Sequence, residues 1–121
     1  MLGTNDLTER FSVSASDIAQ SAAGLANISQ RSECGPDGGA PEVLLISPRP
    51  VGKLTDYAEM FEGSEGKKVS GHYRRLDEQY ECDYPDASVM IVSSDLDGIH
   101  FDASEHRKLG ETVAALAGEI L

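Results

Sequence analysis

Val43-Leu44-Leu45-Ile46 is a short, continuous apolar run bounded by Pro41 and Pro48. Such a run fits a strand covered on both faces, as in a parallel sheet. Ser47-Pro48-Arg49-Pro50 follows it. This segment is neither helix nor central strand, because both prolines lack a backbone donor. In an open α/β sheet the loop at a strand's carboxyl end lines the site, and the proline-rich segment stands there. Further on, Cys82-Asp83-Tyr84 reads as a second short strand, ended by Pro85.

Helical patterns surround these runs. Ser14-Ala15-Ser16-Asp17 fits a capping box, and Ile18, Ala22, Leu25 and Ile28 follow at helical spacing. Residues 31–41 hold Gly35, Pro36, Gly38 and Gly39 and form a loop. A second helix is expected from about Ser64 to Tyr80, with Val69, Tyr73, Leu76 and Tyr80 on its inner face and Lys67, Lys68, Arg74, Arg75 and Glu78 in solvent. Asp86 to Leu96 reads as a loop with a small apolar patch, Val89-Met90-Ile91-Val92. Asp102-Ala103-Ser104-Glu105 is another capping signal, and Leu109, Val113, Leu116, Ala117 and Ile120 form one stripe. That last helix is expected to pack on the sheet and to fix the loop before it. The order helix, strand, helix, strand, helix is that of an α/β layered domain.

With 121 residues the chain is long enough for one domain and hardly two. Its formal net charge of -11 repels phosphate backbones, which argues against nucleic acid and anionic membrane surfaces as partners. No apolar run approaches the roughly 18 residues of a membrane span, and the start lacks a signal-peptide pattern. Neither Cys34 nor Cys82 sits in a CxxC or CxxH pattern, so no zinc site is suggested. Free thiols and a cytoplasmic setting are the expectation.

The stretch with most chemistry is Asp97-Gly98-Ile99-His100. A carboxylate three residues before an imidazole can hold it in one tautomer for general-base work. The same spacing also occurs in surface loops without function. Asn5, in Gly3-Thr4-Asn5-Asp6, has a carboxamide suited to an oxyanion hole, or equally to an Asx turn or helix cap. A calcium loop aligned on Gly98 would begin at Ser93 and end at Ser104 instead of a bidentate Glu, so no metal is expected. His72 and His106 stand among polar helix neighbours and read as solvent-facing.

Gly3-Thr4-Asn5-Asp6 and Asp97-Gly98-Ile99-His100 together resemble the GxND and DGxH blocks of the SGNH (GDSL-type) hydrolases. The filler between them is similar to the aryl esterase and perhydrolase branch. It has a Val-Leu-Leu-Ile-Ser-Pro strand, a Phe61-Glu62-Gly63 turn, an Asp86-Ala87 turn and a similar segment from Phe101 to Leu109. The resemblance implies a three-layer α/β/α, flavodoxin-like hydrolase fold with a small parallel sheet. Residues 1–121 would be the C-terminal portion of a single such domain, N-terminally truncated.

The family's chemistry is serine acyl transfer on carboxylic esters, without a cofactor. The resemblance implies His100 as general base and then acid, Asp97 as its orienting carboxylate, Asn5 as an oxyanion donor, and Gly3 as the turn that presents Asn5. The family's Gly-Asp-Ser nucleophile block occurs nowhere in this sequence. The expectation is therefore an esterase-type chain that is inactive by itself. It would take a small ester once completed by the missing segment. The alternative is a non-catalytic remnant that binds an acyl ligand or a complementary chain. An open apolar edge would also favour homo-oligomers.

Overall fold

The computed structural model describes residues 1–80, 82–83 and 85–120. Helix α1 spans Ala15–Gln30. Its start follows from Ser14, which is extended, accepts from Asp17 N–H at 3.1 Å and donates to the Asp17 carboxylate at 2.7 Å. Helix α2 spans Val69–Tyr80 and is led in by a 3-10 turn at Gly66–Lys68. The two helices pack side by side. The buried face of α1 is mostly alanine: Ala15, Ile18, Ala19, Ala22, Ala23 and Ala26. Small side chains let Val69, Tyr73 and Leu76 of α2 come close and share one core with Leu7, Leu45 and Phe61. The expected stripe on α1 needs correction. Ile18 and Ala22 are buried, but Leu25 is 55% and Ile28 68% exposed. Spacing selected the large residues, whereas close approach selected the alanines beside them.

Polar ties fix both ends of this pair. Ala15 N–H donates to Glu65 at 3.0 Å, Tyr73 Oη–H to the Leu2 carbonyl at 3.0 Å, and Gln30 Nε2–H to the Tyr80 carbonyl at 3.0 Å. The Lys68 ammonium at 2.6 Å and the Ala15 amide hold the Glu65 carboxyl below its usual range.

The expected three-layer α/β/α architecture with a parallel sheet is not what forms. Among the described residues there is no strand. Among the described residues the 43–47 segment meets the chain around Asp83 and Asp86 in two isolated parallel bridges, Leu44 with Asp83 and Ser47 with Asp86. One backbone bond among the described residues joins them, Leu45 N–H to Asp83 O at 2.9 Å. The reason is local. A parallel ladder needs successive slanted pairs. Pro48 and Pro85 each remove a donor, and a one-turn helix, α3 at Ala87–Met90, ends the second segment at once. Tyr84, part of the expected second strand, lies outside the described residues.

The apolar run is nevertheless covered on both faces. Leu45 joins the α1–α2 core, while Ile46 and Leu44 pack with Ala87 and Ile91 in a second cluster. Helix α4, Ala103–Ile120, lies against that second cluster through Leu109 and Val113 and so packs on α3 and an extended segment, not on a sheet. Its one fully buried side chain is Glu105. That carboxylate accepts from Val92 N–H at 2.8 Å and pairs with Lys108 at 2.6 Å, which together hold it below its usual range. The stretch expected as a plain loop from Asp86 to Leu96 thus contains α3, whose first turn Asp86 caps through Ser88 N–H at 2.9 Å. Cys34 is exposed and Cys82 is buried. Among the described residues no helix is long and apolar enough to cross a membrane.

Candidate active site

Asp97 opens a tight turn between α3 and α4. Gly98 has φ +77° and donates its N–H to Ser94 O at 2.8 Å, and Ser94 N–H closes the turn on His100 O at 2.7 Å. A side chain at residue 98 would meet both an unfavourable φ and the Lys53 carbonyl. Within the turn, Asp97 Oδ1 accepts from Ile99 N–H at 2.8 Å and His100 N–H at 2.9 Å. Asp97 Oδ2 lies 2.6 Å from His100 Nδ1. These bonds, the imidazole's first among them, pull the Asp97 carboxyl down to about 2. An ionised carboxylate only accepts, so Nδ1 carries the proton. In the neutral ring Nε2 then keeps a free lone pair. The His100 side chain is 84% exposed, so Nε2 is open to a ligand.

His100 lines a cavity of about 470 Å³. Asn5 and Asp97 line it too, and the walls come from Arg10, Phe11, Ala58, Met60 and Phe61. Asn5 opens a 3-10 turn, Asn5–Leu7, beneath which the Asn5 carbonyl accepts from Thr8 Oγ1–H at 2.7 Å. Its carboxamide makes no hydrogen bond among the described residues, so neither the Asx turn nor the helix cap is formed. Gly3 lies outside the cavity lining. Its φ is +105°, and a Cβ there would sit 2.6 Å from Ile18 Cγ2, so glycine is needed to bring the chain past α1 into the Asn5 turn.

Sequence reasoning missed the cavity wall. Arg10 stacks over the Phe11 ring at 4.6 Å, and Ala58, Met60 and Phe61 belong to a 3-10 turn at Asp56–Phe61. Short 3-10 turns have no hydrophobic period to detect. A second cavity of about 340 Å³ shares Asp6 and Thr8, but its other polar groups are Glu9, Ser12, Ser14, Ser64 and Glu65, with no imidazole. Ser47, at the end of the apolar run, is fully buried and donates to Asp86 at 3.1 Å. Among the described residues no three His, Cys, Asp or Glu side chains converge as metal ligands.

No protein-family profile and no curated protein sequence matches the chain. Solved structures do. The chain is similar to Est24, a carbohydrate acetylesterase from Sinorhizobium meliloti, at 29% identity and TM-score 0.90. It is similar to the native M. smegmatis aryl esterase at 31% identity and TM-score 0.90. Both matches cover 100% of this chain and 59% of theirs. The chain thus spans about three-fifths of the length of the structures it matches.

Proposed function

Because this chain is of the SGNH-type (GDSL) hydrolase family, in its aryl esterase-like branch, we propose that it carries the acid–base half of a carboxylic ester hydrolase. One observation carries the reading: His100 Nδ1 is locked to Asp97 at 2.6 Å, and His100 and Asn5 line one cavity. In this reading His100 Nε2 takes the proton from an attacking hydroxyl as that oxygen bonds to the ester carbonyl carbon. Asn5 donates to the carbonyl oxygen as it gains negative charge. The acyl C–O bond then breaks, and Nε2 returns the proton to the leaving alkoxide. Glu9, Asp56, Glu59 and Glu62 line a shallow pocket that shares Met60 with the cavity. This acidic rim favours uncharged or cationic esters over anionic ones.

Among the described residues, none lining the cavity is placed to supply the attacking hydroxyl. Thr8 is, among the described residues, the one hydroxyl residue in its lining, it is buried, and it donates to the Asn5 carbonyl. That observation also supports the second reading, a chain that binds an acyl ligand or a complementary polypeptide without turnover. An aryl acetate assay separates the two. The chain is assayed alone and with the part of the M. smegmatis aryl esterase that has no counterpart here. Turnover that needs both pieces and disappears in His100→Ala is expected. Equal turnover by His100→Ala would sink the esterase reading, and binding of the second piece with no turnover would favour the other.

A further inference from the structure

The turn bearing Asp97 and His100 is held from outside by a strap, residues 52–55, that the ester chemistry above leaves unused. Gly52 N–H donates to the Gly98 carbonyl at 2.8 Å. Thr55 Oγ1–H donates to the Leu96 carbonyl at 2.8 Å. The two bonds seize the backbone on either side of Asp97. Thr55 stands just before the 3-10 turn at Asp56–Phe61, where a threonine side chain ordinarily accepts from a helical N–H. It makes no such bond here, and its hydroxyl is spent 41 residues away along the chain. The turn that follows supplies Ala58, Met60 and Phe61 to the cavity wall.

We propose that Thr55 is a positioning residue for His100: by pinning the Leu96 carbonyl, it registers the Asp97–His100 turn against the wall that the next residues build. Its catalytic meaning rests on the esterase reading; its geometry does not. Leu96 is 70% exposed, so a released carbonyl turns to water. The Gly52 bond remains, so the turn loosens and does not unfold.

The test uses the full 121-residue chain and no substrate. The exchange rate of the His100 Nδ1 proton is measured by NMR in wild type, Thr55→Val, Thr55→Ala and Thr55→Ser. In Thr55→Val and Thr55→Ala the proton is expected to exchange about five- to tenfold faster, the weight of one net hydrogen bond. The amides of Ala19, Ala22 and Ala23 in α1 should keep their protection. Thr55→Ser should restore the wild-type rate. If Thr55→Val does not fold, the contrast of alanine with serine decides. Unchanged ring-proton exchange overturns the proposal, and so does equal acceleration in α1, which would mark a merely structural bond. Because no turnover is read, failure here leaves the ester assay standing, and failure of that assay leaves this result to be judged alone.

Discussion

Asp97 holds His100 with both carboxylate oxygens, Oδ2 on the ring Nδ1 at 2.6 Å and Oδ1 on the His100 backbone N–H at 2.9 Å. Ring and backbone of one residue are thus fixed by one side chain, and the Ile99 N–H at 2.8 Å adds a third donor. The imidazole cannot rotate away from the cavity without breaking the bond that sets its tautomer.

The first expectation is a pH dependence. The folded Asp97 carboxyl titrates at about 2, below the ~3.9 of an unfolded aspartate. A depressed folded value stabilises fully above the unfolded one and is lost as pH falls through the folded one. The contribution of this turn should therefore be complete above pH ~4 and vanish towards pH ~2. Side-chain carbon shifts of Asp97 across pH 1.5 to 6 read the midpoint directly. A midpoint near that of free aspartate would mean that the three hydrogen bonds are not formed in solution.

Gly98 and Gly118 should respond to alanine with opposite signs. Gly98 has φ +77° and abuts the Lys53 carbonyl, so Gly98→Ala should cost more than about 1 kcal/mol. Gly118 lies exposed in α4 with nothing within 4 Å of a built Cβ. Gly118→Ala should stabilise by about 0.5–1 kcal/mol through helix propensity. Urea melts of the two variants settle the signs, and a neutral Gly98→Ala would show that the Asp97 turn tolerates rearrangement.

Asn5→Ala should separate stability from chemistry. The carboxamide is exposed and makes no hydrogen bond among the described residues. Its loss should change stability by no more than about 0.5 kcal/mol. In the two-piece ester assay the same variant should lower kcat by about 10²–10³-fold, the usual cost of one oxyanion donor. A large drop in stability with unchanged turnover would make Asn5 a scaffold residue.

How much of this was legible in the residues varies with the physics of each part. The Ser14 cap and the inner face of α2, Val69, Tyr73 and Leu76, were readable because caps and 3.6-residue periods are local. The placement of Asp97 beside His100 was suggested by a three-residue spacing across Gly98. The sheet was misread because Val43 to Ile46 shows only that the run is covered, not whether hydrogen bonds complete its edges. Two helical clusters cover it here, and beside Pro48 and Pro85 its pairing among the described residues comes to two bridges. Arg10, Phe11 and Met60 could not be found at all, since irregular turns bring them to the cavity from distant positions.

Ser47 is the last matter, because it is the serine that a search along the apolar run would nominate as nucleophile. Its surroundings oppose that role. The residue is fully buried, its hydroxyl donates to Asp86 at 3.1 Å, and Asp86 is already engaged in capping α3 and lies 3.8 Å from Arg74. Ser47 is not among the residues lining the His100 cavity. Its hydroxyl therefore joins the 43–47 segment to the start of α3, which is a structural task. Ser47→Ala should destabilise the chain by about 1–2 kcal/mol, since Asp86 loses a donor and no new volume is added. His100-dependent turnover in the two-piece assay should survive once folded fractions are matched. If Ser47→Ala instead abolishes turnover at unchanged stability, the nucleophile lies within this chain. The division of labour between its acid–base pair and an outside hydroxyl would then have to be given up.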